Sequence, residues 1–224
     1  GVPYRFTVRA RSAADWSDPG GPSPEATPDR TPEAVTITGT TPGDRTMSVT
    51  WAPPVNQGSR IDIYRVQVVS TTGGPGGGDF DVTGGGTSTS ISGLVNNDQY
   101  SYRVQAHNDA GWGPYGPFFK AQSVGTPATV GKPTVLPPSP TPGDDTGSLR
   151  ISWPDTDPNG PPIVSYTVYR QLGGGGATVL ATVSAGQPNA VSDSLAYDGR
   201  EVQYSVVATN GGGKDSAPGV QSDP

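Results

Sequence analysis

YSYRVQAHN, at residues 100–108, is written a second time as VQYSVVATN, which ends at Asn210, 102 residues later. Two further landmarks keep that offset. MSVTW at 47–51 returns as LRISW at 149–153, each alternating apolar and polar residues and closing on a tryptophan. Thirteen residues beyond each tryptophan stands a tyrosine, Tyr64 in IDIYRVQV and Tyr166 in IVSYTVYR. Three landmarks at one offset define an internal repeat. Alternation with a period of two is the pattern of half-buried strands, and no segment sustains a 3.6-residue period, so essentially no helix is expected.

Each repeat has room for about seven short strands. In the first they fall near 33–38, 46–51, 61–69, 79–82, 88–92, 98–107 and 117–124. Stretches rich in Pro and Gly, such as TPGDRT at 41–46 and APPVNQGS at 52–59, separate them. This accounts for a composition of 33 Gly and 25 Pro, which would otherwise suggest a low-complexity chain. Side chains alternate across a strand, so Met47, Val49 and Trp51 share one face, as do Tyr64, Val66 and Val68. Two such faces packed together make a sandwich core about 10 Å thick. The expected fold class is all-β, a tandem of seven-stranded immunoglobulin-like sandwiches.

These units resemble fibronectin type III domains. The resemblance rests on Trp51 and Trp153 ending the second strand, and on the Tyr-x-Val of the third, Tyr64/Val66 and Tyr166/Val168. It rests also on the sixth-strand signature Leu94, Tyr100, Val104, Ala106 and Asn108. The second unit departs from it, with Ala196 (beside Leu195) and Val202 where the first has Leu94 and Tyr100. A corner tyrosine sends its hydroxyl to the chain a few residues upstream, so the second unit is expected to be the less stable. Tyr4, Phe6, Val8 and Ala10 fall on Tyr100, Tyr102, Val104 and Ala106 at a constant offset of 96, and Trp16 falls on Trp112. Residues 1–30 are therefore expected to be the last two strands of a further domain whose first five strands are not in this sequence. Complete domains are expected at 31–126 and 127–224.

The formal net charge is −6, with lysine only at 120, 132 and 214. An acidic chain without a basic patch lacks the footprint for nucleic acid. No apolar run approaches the roughly 18 residues of a membrane span. Cysteine is absent and His107 is the single histidine, which excludes thiol nucleophiles, disulfides and any site that needs two imidazoles. No cofactor or metal is expected.

Several motifs invite a chemical reading. DTDPNG at 155–160 sets Asp155, Asp157 and Asn159 at alternate positions before Gly160, as a calcium loop begins, but position twelve would be Tyr166. A turn is the better reading. GGPGGG at 73–78 and GGGG at 173–176 are followed by strand-like DFDV and ATVL rather than a helix, so they are hairpin loops and not phosphate cradles. His107 is expected to be a solvated residue at a strand end, and Asp144 and Asp145 to lie in a solvated turn. Trp16 and Trp112 are placed in corresponding loops, with Lys214 in the third such position. There they either pack on nearby prolines (Pro19 and Pro22, Pro114 and Pro117) or stand exposed to stack on a sugar ring or anchor a protein. RGD, used for integrin binding by some members of the resembled family, does not occur.

The resemblance implies a non-enzymatic spacer or adhesion segment of a larger secreted or cell-surface protein, of bacterial type. Pro-containing linkers, TPDRTPEA at 27–34 and GTPATVGKP at 125–133, would hold neighbours semi-extended. A cell-wall glycan or a protein is the expected partner, beside flanking domains of the parent chain, with no membrane insertion in this segment. The alternatives are a specific glycan- or protein-binding module using the loop tryptophans, or an accessory segment of a secreted polysaccharide-degrading enzyme.

Overall fold

The computed structural model describes residues 2–137, 148–194 and 201–224. Leu195, Ala196, Asp144 and Asp145 lie outside them. Among the described residues there is no helix. The first repeat is built from β1 (Thr36–Gly43), β2 (Thr46–Ala52), β3 (Ile63–Ser70), β4 (Gly78–Thr83), β5 (Ser88–Ser92), β6 (Gln99–Asn108), β7 (Gly111–Trp112) and β8 (Phe119–Gln122). The second has β9 (Thr134–Leu136), β10 (Leu149–Ser152), β11 (Ile163–Leu172), β12 (Thr178–Ser184), β13 (Ala190–Asp193) and β14 (Val202–Asn210). Each repeat pairs its strands into two sheets. In the first these are β1-β2-β5 and β4-β3-β6-β7, with β8 also on β6; in the second they are β9-β10-β13 and β12-β11-β14.

Register shows that the repeat is structural as well as textual. Tyr64 pairs with Ala106, Val66 with Val104 and Val68 with Tyr102. The pairs Tyr166 with Ala208, Val168 with Val206 and Arg170 with Tyr204 are the same three moved by 102 residues on both strands. Because a slip of one residue would turn every apolar side chain outward, this alternation and this register require each other. The inward rows meet as expected: Trp51 against Tyr64 with ring centroids 5.4 Å apart, and Trp153 against Tyr166 at 5.7 Å. Leu94 and Tyr100 are fully buried. The Tyr100 hydroxyl donates to the Pro75 carbonyl at 2.6 Å. This ties the core to the glycine-rich loop 25 residues upstream, further along the chain than the corner motif led one to expect.

Chain compactness divides the protein into residues 1–41, 47–93 and 99–121 on one hand and 42–46, 94–98 and 122–224 on the other. In the first unit Gly116 is obligatory, since a Cβ there would lie 1.7 Å from the Val35 carbonyl oxygen. Gly219 has the corresponding role in the second, with the Val206 carbonyl 2.6 Å from a Cβ.

Residues 2–28 form a hairpin with the pairing of the β6–β7 segment. Ser17 N–H donates to the Ala10 carbonyl and Gly20 N–H to that of Val8, as Gly113 does to Ala106 and Gly116 to Val104. Arg11 faces Trp16 as His107 faces Trp112. The environments differ. Tyr4, Phe6 and Val8 are 51, 62 and 78% exposed, whereas Tyr100, Tyr102 and Val104 are fully buried.

Candidate binding surface

Trp112 does not sit on a free loop. It ends β7, hydrogen-bonded along β6 with His107 opposite, so its ring lies over the sheet face. The Arg65 guanidinium stacks on it at 4.7 Å from the centroid, and the His107 ring meets it edge-on at 4.9 Å. Arg65 is held there by a bidentate pair with Asp81, Nε to Oδ1 at 2.7 Å and Nη2 to Oδ2 at 2.8 Å. The pairing follows from register, since Arg65 and Asp81 are directly opposite on β3 and β4. The hydrogen bonds from Arg65 hold the Asp81 carboxyl below the usual carboxylate range, and those to Asp81 raise the guanidinium.

A second stack runs beside the first. The Arg103 guanidinium lies 4.2 Å from the Tyr115 ring and 4.6 Å from that of Phe118. Its Nε donates to Gln67 Oε1 at 2.7 Å, and Gln67 Nε2 donates to Asp79 Oδ1 at 3.3 Å. A cation over an aromatic face is attracted by the ring quadrupole, by about 0.5–1 kcal/mol at exposed sites. The outward face of this sheet thus carries Trp112, Tyr115 and Phe118 interleaved with Arg65 and Arg103. Phe118 is half exposed.

His107, expected to be solvated, is partly buried and engaged. Its Nδ1 lies 2.8 Å from Asp62 Oδ1, and an ionised carboxylate opposite makes that nitrogen the protonated one. This hydrogen bond is the main cause that lowers the Asp62 carboxyl. The strand-end reading overlooked that β7 folds back beside β6 and covers the ring. Trp16 keeps a looser version of the stack, with Arg11 5.5 Å from its centroid and half of its surface exposed.

Among the described residues the second repeat has no such surface, and the residue in the tryptophan position is not Lys214. Thr209 bridges to Asp215, and its hydroxyl donates to Asp215 Oδ1 at 2.7 Å. One residue more in the preceding turn shifts the later equivalences by one. Ser216 N–H therefore bonds Ala208 where Gly113 bonds Ala106.

The remaining candidates serve the fold. Asp157 Oδ1 accepts from the Asn159 N–H at 2.8 Å, Asp155 Oδ1 accepts from Asn189 Nδ2 at 2.7 Å, and Asn159 has φ 45°. These two acids set the geometry of a turn. Among the described residues no three His, Cys, Asp or Glu gather as metal ligands. The glycine-rich segments connect β3 to β4 and β11 to β12, with positive φ at Gly73, Gly76, Gly173 and Gly174.

The sequence signature included Asn108 without assigning it a role. Fully buried, it donates from Nδ2 to the carbonyls of Arg30 and Asn56, both at 2.8 Å, and accepts from Ala110 N–H. Asn210 repeats this in the second unit, donating to the Gly125 and Pro158 carbonyls at 3.0 Å and accepting from Gly212 and Lys214. Each asparagine fastens the chain entering its repeat to the loop after the tryptophan strand.

Two sheets per repeat, one register and one tryptophan–tyrosine core define a tandem β-sandwich protein. Residues 30–122 match the family model of the fibronectin type III domain, and this repeat belongs to that family. The chain is similar to the FN1–FN3 domains of chicken CNTN1, at 19% identity over 99% of this chain and 75% of that one, with a TM-score of 0.48. It is also similar to a two-domain fibronectin type III segment of chicken tenascin, at 21% identity over 86% of this chain and 97% of that one, with a TM-score of 0.36. Domains of this family commonly act as spacer or adhesion modules of multidomain proteins, are often extracellular, and are typically non-catalytic. Among the described residues no helix is long and apolar enough to cross a membrane.

Proposed function

We propose that this chain is a non-catalytic spacer and adhesion segment of a larger secreted or cell-surface protein, in which its repeats set the distance between flanking modules. The observation that carries this reading is the pair of buried asparagines. A spacer transmits position only if each domain holds the chain that enters it. Asn108 and Asn210 do so with amide hydrogen bonds to backbone carbonyls, neutral groups that salt does not screen. Residues 1–30 are, on the same reading, the sixth and seventh strands of another such domain. Their pairing copies that of β6 and β7, and their apolar row matches one that is buried in the first repeat. The test is mechanical: pulled end to end, the chain should unfold in discrete domain-sized steps, and Asn108→Ala should lower the force of one of them. Gradual extension without steps would refute the spacer role.

A second reading rests on the Trp112–Arg65 and Tyr115–Arg103–Phe118 stacks. Aromatic rings held flat by guanidinium groups can stack on a sugar ring or receive an apolar side chain. On this reading the partner is a wall glycan or a protein, and the parent includes polysaccharide-degrading enzymes among its candidates. Binding to a glycan array or to isolated cell walls that Trp112→Ala or Phe118→Ala abolishes would establish it. Absence of binding by the unmodified protein returns the surface to a structural role.

A further inference from the structure

Val68 and Tyr102, paired across β3 and β6, and Ile91 of β5 are all buried in the first core. The Tyr102 hydroxyl has no hydrogen-bond partner there. In the second repeat the same positions carry charge. Arg170 pairs with Tyr204 across β11 and β14 as Val68 pairs with Tyr102 across β3 and β6. The bonds from Trp51 N–H to the Thr87 carbonyl and from Trp153 N–H to that of Asn189 set β5 and β13 in one register, which puts Asp193 where Ile91 stands. Arg170 Nη1 donates to both Asp193 oxygens, at 3.0 and 3.1 Å, and Tyr204 Oη donates to Oδ2 at 2.9 Å. The Arg170 side chain is 16% exposed and that of Asp193 1%.

A buried ion pair is a poor source of stability relative to apolar residues of similar volume, whereas separating its partners leaves an uncompensated charge. In this one even Arg170 Nε is buried without a partner. What the triad adds is therefore selectivity between strands. Tandem repeats of one fold are exposed to strand exchange and misassembly between neighbours. A flexible hinge favours such exchange, and both repeats have a glycine-rich one between their third and fourth strands, with positive φ at Gly73 and Gly76 and at Gly173 and Gly174. A crossover at that hinge separates Val68 from Ile91 and Arg170 from Asp193. The resulting hybrids would set Arg170 against Ile91 and Asp193 against Val68.

We propose that the Arg170–Asp193–Tyr204 triad, set against the apolar Val68–Ile91–Tyr102 corner, rejects strand exchange between repeats whose crossover falls in the glycine-rich hairpin loops. The test uses the whole chain in repeated unfolding and refolding under force. An exchanged pair is scored as a single unfolding step that releases the length of two domains.

Arg170→Val with Asp193→Ile makes the second corner like the first. This double variant should fold with undiminished thermal stability and raise the frequency of double-length steps by about tenfold or more, because the charge penalty on the hybrids is gone. The reciprocal pair, Val68→Arg with Ile91→Asp, also makes the corners alike, and should raise that frequency if the protein folds. An unchanged frequency in the folded Arg170→Val, Asp193→Ile double variant overturns the proposal. Failure of that double variant to fold does so as well, since the first repeat folds around the same corner.

Discussion

Tyr102 and Tyr204 occupy one position of the repeat and are predicted to answer the same substitution in opposite ways. The Tyr102 hydroxyl is buried and unpartnered, so Tyr102→Phe removes a desolvated dipole and should stabilise the protein by about 1 kcal/mol. Tyr204→Phe takes a donor from buried Asp193 and should destabilise it by about 1–3 kcal/mol. Urea titration of the two variants, followed through the midpoint at constant slope, checks both signs. Asp193→Ala leaves Arg170 charged and alone, at a cost of about 3–5 kcal/mol. Asn108→Ala and Asn210→Ala each leave two backbone carbonyls without their amide donor and should cost about 1–3 kcal/mol.

Ionisation gives a further residue-scale expectation. The carboxyls of Asp29, Asp62 and Asp81 lie below their ordinary 3.8, chiefly through hydrogen bonds from Ser59, His107 and Arg65 respectively. A depressed folded-state pKa gives stability that is complete above 3.8 and is lost as pH falls through the folded value. The urea midpoint should therefore drop below about pH 4, and Arg65→Gln should make that drop shallower by releasing Asp81. Tyr102 and Tyr204 are shifted the other way, above 10, by burial, and for Tyr204 also by donation to Asp193. Their contribution is complete below pH 10 and is lost above it, as the unfolded chain ionises first.

Among the elements, β7 shows how a two-residue strand can decide the character of a surface. By folding back beside β6 it lays Trp112 between His107 and Arg65, while the chain beyond it brings Tyr115 and Phe118 over Arg103. Arg103→Ala removes two cation–aromatic contacts and should cost about 1–2 kcal/mol, seen as faster amide exchange in residues 111–118. The seven strands expected of the first repeat were legible from alternation, to within about five residues at their ends, but β7 was not among them. The stacks were not, because residues 65, 103, 112, 115 and 118 share no local period and meet only through the pairing of β3, β6 and β7. Asn108 was visible as a signature position, yet its partners Arg30 and Asn56 lie 78 and 52 residues away.

For the molecule as a whole, two differences point the same way. The second repeat has Val202 in place of Tyr100, whose hydroxyl holds Pro75, and it has a buried ion pair where the first has apolar side chains. Both lower its stability relative to the first. On heating the intact chain, amides of β11 and β14 should lose protection from hydrogen exchange before those of β3 and β6. Loss in the reverse order would contradict this.

The amino-acid sequence alone determined the repeat, the strands and the family resemblance, because these depend on alternation and on landmarks a short distance apart. It also held a quiet sign of the triad: Arg170 and Asp193 interrupt apolar rows that Val68 and Ile91 keep. Only the tertiary structure decided that those two charges meet, that Tyr204 joins them, and that Trp112 lies clamped on a sheet rather than free on a loop. Such contacts form between strands distant in sequence, and a side chain's partner is set by the register that brings those strands together.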